Sequence, residues 1–426
     1  MIYNTYNFSF TKSYSGKIKK PNNLNELKIL LKKKFVIVGN QRSYNDCFIG
    51  YKQKISLTNF NKIINFDKKK KLIEVETGIS LKELNNFLLK NGFMLECMPG
   101  CKYVTIGGMI ANNISGKLNI KNNLSNYIHS LKVIDKNLDL LNCSLRQNKK
   151  LFKLTINGKG ATGPIISAKI KITKITSDNV KETILSFKSY NHFYDHLKKI
   201  SKFKYVVCWV DFTKKNFDGL FFLGNHNIHK NKFKFKINDI YIPIIFAKII
   251  GIFINNIFFI SLFNRLFKFK NLIFKKKNTN FNDFFFPQNK IKNWNYFFSQ
   301  GFVQFQIYLK IKDLKKIIRD IKFLIKENQL ITNFFIIKFN KKILKEKNFK
   351  ISLSIDFPIK RNFSRIKKAL NNFVIKNNTE VELSKDIILD KLNKKTLDIN
   401  PVFKKKNLKY FHKNYESSIF KRLEKI

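Results

Sequence analysis

The run FVIVG from Phe35 to Gly39 is apolar and β-branched, and it stops at the polar cluster NQRSYND. That pattern predicts a buried strand opening into a loop. LIEVETG (Leu72 to Gly78) and SLKELNNFLLKNG (Ser80 to Gly92) predict a strand followed by a helix. Ser80 and Glu83 have the spacing of a capping box, Leu81, Leu84, Phe87 and Leu88 fall on one face, and Gly92 ends the helix. MPGCKYVTIGGMIANNISG (Met98 to Gly116) then packs four glycines and a proline between apolar residues. After Asn126, LKVIDKNLDLLNC and LFKLTINGKGATGPIISAKIKIT read as further strands, and this glycine-punctuated character ends near Thr173. Longer apolar and charged stretches follow from Ser177, which sets a domain boundary near residue 175. Ile240 to Phe267 is nearly continuous apolar sequence, broken by Pro243, Lys248, Asn255, Asn256 and Asn264. It fits a buried or lid-forming helical pair, an interfacial membrane element or a membrane-spanning helix. The polar stretch Met1 to Gly16 predicts no secretory signal.

A chain of 426 residues predicts two or three domains. Its 44% hydrophobic content, with 45 Phe, supplies a core and excludes wholesale disorder. Five Cys without a paired CxxC module argue against a disulfide framework and for a reducing compartment. The formal net charge of +55 suggests an anionic partner, yet arginine supplies only seven of the 83 basic residues. Phosphate and base readers favour the guanidinium fork, so nucleic acid is not expected as a partner. Lysine spread over nearly every segment, with abundant Asn, Ile and Phe, is what AT-rich codons produce by drift; the selected alternative is an acidic membrane surface.

The two loops 39–46 and 99–116 hold the candidate chemistry. Gly39, Arg42, Ser43 and Tyr44 offer backbone N–H groups, a guanidinium and hydroxyls at the end of a strand, a cradle suited to a pyrophosphate. Gly107 and Gly108 allow close approach of a flat or phosphorylated group. Neither loop is a GxGxxG or a GxxxxGKS, so the Rossmann and P-loop readings fail on spacing. Cys97 and Cys101 read as buried free thiols with no His close in sequence to complete a metal set, and no metal site is expected. His192 and His196 share a face of an ordinary amphipathic helix. No GxSxG or SxxK motif suggests a serine nucleophile. The basic and aromatic alternation from Lys230 to Lys236 is too isolated to indicate single-strand binding.

GNQRSYND, then VETGISLKELNNFLLKNGFMLECMPGCKYVTIGGMIANNISGK, then INGKGATGPI, in that order, resemble the FAD-binding domain of vanillyl-alcohol-oxidase type flavoproteins. Within that group the chain is most similar to the decaprenylphosphoryl-ribose 2′-oxidase family. The likeness continues in WVDF (Trp209 to Phe212), FFFPQNKIKNWN (Phe284 to Asn295), GFVQFQ (Gly301 to Gln306), IDFPI (Ile355 to Ile359) and ELSKD (Glu382 to Asp386), so it runs from about Tyr14 to the C-terminus. It implies an α+β, two-domain fold of the PCMH type: an FAD-binding domain at 1–175, a substrate (cap) domain built on an antiparallel sheet at 176–382 with a hydrophobic lid at 240–267, and a segment at 383–426 returning to the FAD domain.

By the same resemblance, Gly39, Asn40, Gln41, Arg42, Ser43 and Tyr44 wrap the FAD pyrophosphate. Gly100, Thr105, Ile106, Gly107, Gly108, Asn112, Asn113, Ser115 and Gly116 line the other side and the isoalloxazine, and Gly163 and Ile165 close on the cofactor. Tyr44, Lys117, Gln304, Gln306, Lys338 and Lys385 correspond to the substrate pocket, with Lys385, Tyr44 and Gln306 as the catalytic candidates. Lys385 orients or deprotonates the sugar hydroxyl, which requires burial or a cationic neighbour to lower its pKa.

Several positions depart from the family pattern. Gln41 and Asn45 stand where the loop usually has glycines, and Asn tolerates a left-handed backbone better than Gln. Ser115 stands where a His usually precedes GK, so FAD is expected to be held non-covalently. Leu118, Asn119 and Ile120 replace a His-rich continuation, which puts substrate identity more in question than cofactor identity. Ser354 precedes the IDFPI aspartate stretch, so no pocket thiol is expected there. The expected activity is oxidation of the 2′-hydroxyl of a lipid-linked pentose to a keto sugar, half of an epimerisation in cell-envelope polysaccharide synthesis. A short-chain reductase partner and a cytoplasmic location with peripheral contact to the inner membrane are implied with it. The alternatives are a soluble sugar or aldonolactone oxidase using FAD and oxygen, although no C-terminal HWxK element is found, and a basic adhesive protein whose flavin site has decayed.

Overall fold

The computed structural model describes residues 3–50, 53–117, 123–227, 240–298, 300–339, 349–359 and 363–423. Leu118, Asn119, Ile120 and the Lys230 to Lys236 alternation lie outside them. Among the described residues three main sheets organise an α+β architecture.

The first sheet has the order Tyr3–Tyr6, Ser13–Lys19, Gln53–Ser56, Val36–Val38. Val36–Val38 and Gln53–Ser56 run parallel, so the chain between them must return across the sheet, and the candidate loop after Gly39 lies on that return. Val36, Val38 and Ile55 are fully buried, as their branched side chains predict.

The second sheet is antiparallel, in the order Ile63–Asp67, Leu72–Glu76, Ile165–Lys174, Ile128–Ile134, Leu140–Ser144, with Phe93–Leu95 paired to the far end of Ile165–Lys174. Helix Leu81–Lys90 packs on it through Leu81, Leu84 and Leu88, and its capping box is complete: Ser80 Oγ accepts from Glu83 N while Glu83 accepts from Ser80 N. Gly92 follows with φ +76°, the left-handed conformation that favours glycine. LFKLT is not a strand. Lys149–Thr155 is a helix, because Leu151, Leu154 and Thr155 fall at helical spacing and are buried together.

The third sheet has eight antiparallel strands in the order Lys276–Asn280, Asn179–Phe187, Gly219–His226, Tyr205–Val210, Phe334–Phe339, Lys350–Pro358, Phe302–Lys310, Glu380–Val381. Its pleat divides its residues between two environments. Val206, Cys208, Val303, Phe305, Phe335, Ile337, Leu353 and Ile355 pack under helices Tyr190–Ile200, Leu314–Glu327 and Phe363–Asn377. The alternate residues, among them Val207, Trp209, Gln304, Gln306, Ile336, Lys338, Ser354 and Asp356, face a cavity.

The C-terminal segment threads back to the first sheet. Tyr415 bridges Phe35, Ser417 bridges Gly50, and His412 N donates to Ala161 O at 2.8 Å. Arg422 holds Asp46 through Nη2 at 2.9 Å and Asp386 through Nη1 at 2.8 Å, both carboxylates being fully buried. The apolar segment forms two helices, Ile244–Ile254 and Ile257–Ile273, bent by 98° at Asn255 and Asn256. Among the described residues no single helix is long and apolar enough to cross a membrane.

Candidate functional site

A cavity of about 1460 Å³ lies against the cavity face of the eight-stranded sheet, bounded by the loops after Gly39 and Met98 and by the bent helical pair. Of the residues expected to hold the cofactor, all but Ile106 and Asn113 line it. Ile106 is fully buried in the second sheet's core. Asn113 turns away, with φ +42° and its Oδ1 accepting from Ser125 N at 2.9 Å. Helix periodicity separates Ile106 from Gly107 and Gly108, a distinction that a motif match does not carry.

The first loop is held from outside. Asn7 Nδ2 and Ser9 Oγ both donate to Tyr44 O, at 2.8 and 2.9 Å, and Asn40 Nδ2 donates to Tyr103 O at 2.9 Å. The Arg42 guanidinium lies between the rings of Phe8 and Tyr103, 5.5 and 5.6 Å from their centroids. Gln41 adopts φ +53°, a conformation that costs a side-chain-bearing residue roughly 1–2 kcal/mol, and the Tyr14 hydroxyl donates to its Oε1. Asn45 is not left-handed; it is fully buried, and its amide donates to Leu383 O.

The second loop meets the first with no room to spare. Thr105 caps helix Ile106–Ala111, its Oγ1 accepting from Gly108 N. A Cβ on Gly39 would sit 2.2 Å from that same Oγ1, and one on Gly116 would sit 2.8 Å from Met98 N. Glycine therefore keeps the cleft between the loops open. Asn112 Oδ1, Gln304 Oε1 and Gln306 Oε1 are buried without a hydrogen-bond partner. Since buried acceptors are normally satisfied, such orphans lining one cavity indicate groups awaiting a polar ligand. Glycine-opened loops at one end and unsatisfied amides beyond them fit an elongated cofactor with a polar flat group.

Lys117, Lys338 and Lys385 converge on the sheet end of the cavity. Burial pushes Lys117 down to about 7, with the neighbouring charge of Lys338 adding to the shift and Glu182 opposing it. Its ammonium donates to Phe284 O and stands 4.8 Å from the Phe284 ring centroid. Burial also lowers Lys385, and the adjacent Lys338 lowers it further. Asp356 is pushed up by burial, although Gln304 Nε2 donates to it at 2.6 Å. The Lys385 ammonium is 5.7 Å from the Tyr44 ring centroid, and burial holds the Tyr44 phenol well above its ordinary value, hence protonated. This end of the cavity thus pairs a lysine poised to lose its proton with neutral donors.

Asp356, Glu382, Trp209 and Lys159 also line the cavity and were absent from the sequence-derived set. The first three stand within the motifs IDFPI, ELSKD and WVDF, but only the strand pleat, for Asp356 and Trp209, and the turn after Glu380–Val381, for Glu382, reveal which letters face the cavity. Lys159 lies between Gly158 and Gly160; it is buried, with Nζ donating to Asn157 Oδ1 at 2.7 Å. Cys97 is buried, and its thiol donates to Ile114 O at 3.2 Å. Among the described residues no group of three or more His, Cys, Asp or Glu side chains is placed to hold a metal ion.

Comparison with known proteins meets this geometry. Residues 27–144 match the FAD binding domain family. The chain is 30% identical over 121 residues to a decaprenylphosphoryl-beta-D-ribose oxidase of Mycolicibacterium smegmatis, covering 28% of this chain and 26% of that protein. It is 28% identical over 124 residues to a D-lactate dehydrogenase of Anaerostipes hadrus, covering 28% and 26%. It is 28% identical over 182 residues to an L-gulonolactone oxidase of Mus musculus, covering 41% and 40%. The matched region spans well under two thirds of each relative's length. FAD is the cofactor these residues fit: residues 27–144 are an FAD-binding domain, and the chain is similar there to FAD-dependent oxidoreductases of the vanillyl-alcohol-oxidase type.

Proposed function

We propose that this chain is an FAD-dependent oxidoreductase that oxidises the 2′-hydroxyl of a polyprenyl-phosphoryl pentose to a ketone. The observation that carries the reading is the convergence of Lys117, Lys338 and Lys385 with the unsatisfied Gln304 and Gln306 on the cavity that the glycine loops open. Bound FAD supplies the two-electron acceptor for the hydride that leaves the carbinol carbon. The neutral amine of Lys385 accepts the hydroxyl proton, which its burial and the Lys338 charge make possible near neutral pH. Gln304 and Gln306 accept from neighbouring sugar hydroxyls through their free carbonyl oxygens. Lys117 and Lys338 donate to the phosphodiester that joins sugar to lipid, whose negative charge favours their protonated forms against the burial that lowers both pKa values. FAD is held non-covalently, since Ser115 has no imidazole for the histidyl flavin link that related chains make at this position. The apolar helical pair at the cavity edge suits a polyprenyl tail, with peripheral contact to the membrane that contains it. A keto sugar is consumed by reduction, so a short-chain reductase is the proposed partner.

A lactone oxidase is the second reading, favoured by the match to L-gulonolactone oxidase over a larger share of the chain. One experiment separates them. Purified protein with the visible spectrum of oxidised flavin, released into the supernatant on acid precipitation, is mixed without oxygen with polyprenyl-phosphoryl ribose or with an aldonolactone. Bleaching by the first alone supports the proposal, and bleaching by the lactone alone overturns it. A colourless protein that stays colourless with added FAD overturns both readings.

A further inference from the structure

The second helix of the bent pair is amphipathic in the reverse sense for a protein in water. Its protein-facing side carries Asn264, whose amide donates to Asp211 Oδ1 at 2.7 Å, the buried Asn271, and Lys268 paired with Asp218. Its outward side carries Phe258, Phe263 and Phe269, exposed by 67%, 64% and 64%. The first helix is pinned by Gly251, where a Cβ would lie 2.2 Å from Phe297 O, while Ile252, on the outer side, is 73% exposed. Anchored polar contacts inside and a continuous apolar face outside place the pair against an apolar medium.

Charge selects which medium. Between Ile240 and Asn282 there are seven Lys and Arg and no Asp or Glu. Lys248, Arg265, Lys270, Lys275 and Lys276 are exposed around the apolar face. A second copy of a chain with net charge +55 would bring like charge to this rim, whereas an anionic lipid headgroup layer neutralises it. Ile250, Phe253, Phe259, Phe263 and Leu266 belong both to this exposed face and to the cavity wall.

We infer that the helical pair Ile244–Ile254 and Ile257–Ile273 is a docking element that seats the chain on an anionic bilayer, with the cavity mouth facing the lipid. A ligand with a long apolar tail then enters the cavity from the bilayer side. The inference deepens the proposed function by stating how its substrate arrives. Its test reads vesicle binding rather than turnover, so the two readings fail separately.

The full chain is sedimented with vesicles of phosphatidylcholine and with vesicles of equal phosphatidylcholine and phosphatidylglycerol. Retention on the anionic vesicles that weakens with salt is expected. Phe263→Ser should weaken partitioning about tenfold or more by removing one buried aromatic side chain. Lys270→Gln should weaken it about fivefold on anionic vesicles and leave it unchanged on neutral ones. Light scattering without lipid checks the rival occupant, and flavin content checks that each variant is folded. Equal retention on neutral vesicles, no retention on either, or a dimer that Phe263→Ser dissociates would each overturn the inference.

Discussion

The side-chain amide of Asn45 donates to the carbonyl of Leu383 at 2.7 Å, tying the glycine loop to the segment that carries Lys385 two residues later. A residue standing where the related loops have glycine thus connects the proposed cofactor cradle to the proposed base. Asn45→Ala leaves Leu383 O buried without its donor, at a cost of about 1–3 kcal/mol. The expected outcome is a lower urea midpoint together with weaker FAD retention on gel filtration, and Asn45→Asp should lose at least as much, because a carboxylate cannot donate to Leu383 O and would bury a second charge beside Asp46.

Lys385 acts as a base only when neutral. Burial and Lys338 lower its pKa, so kcat/KM should rise with pH through a limb well below the ordinary lysine value of 10.5 and level off above it. Lys385→Met should reduce kcat by about 100-fold or more with FAD still bound. A pH profile unchanged in shape in the residual activity of that variant would assign the limb to another group.

Arg422 neutralises two fully buried carboxylates, Asp46 and Asp386. Arg422→Ala removes both pairings at once and should cost about 3–5 kcal/mol, read as a fall in the denaturant midpoint. Arg422→Lys should recover only part of that loss, because an ammonium lacks the fork that reaches both carboxylates.

His412 is buried beside Phe35, 4.8 Å between ring centroids, and burial depresses its pKa from 6.5 to about 4. The folded state therefore keeps it neutral while the unfolded chain takes up a proton below pH 6.5. Stability is unaffected above that value and falls by about 1.4 kcal/mol per pH unit from 6.5 down towards 4. Chemical denaturation of the wild type and of His412→Gln across this range checks the prediction, since the variant should lack this share of the slope.

Gly39→Ala places a methyl group 2.2 Å from Thr105 Oγ1, the atom that caps the helix after the second loop. Either the cap or the loop must move, at about 1 kcal/mol for the lost cap. Titration of the apoprotein with FAD should show affinity reduced about tenfold or more.

What the sequence made legible was local. The capping box of Ser80 and Glu83 and the strand at Val36–Val38 are written in adjacent letters, and the structure contains both. Helix Lys149–Thr155 was not legible as such, because a short apolar run serves strand and helix equally until its packing partners are known. The cavity-facing roles of Asp356 and Trp209 depended on the pleat, and the partner of Asn45 lies 338 positions away. Lysine posed a further difficulty. With composition favouring it everywhere, only the family resemblance marked Lys117, Lys338 and Lys385 in the sequence, and their burial is what sets them physically apart from surface charges.

The alternation along the eight-stranded sheet has an evolutionary corollary. Gln304, Gln306, Ser354 and Asp356 can be exchanged one at a time without disturbing Val303, Phe305, Leu353 or Ile355 beneath the helices. Substrate preference is therefore free to drift by point substitution on a fixed frame. Gain or loss of a single codon within Phe302–Lys310 or Lys350–Pro358 would instead turn the wall inside out, delivering amides to the oily layer and phenylalanines to the ligand. Diversification of this scaffold should proceed by replacement inside these strands, with length changes confined to the connections between them.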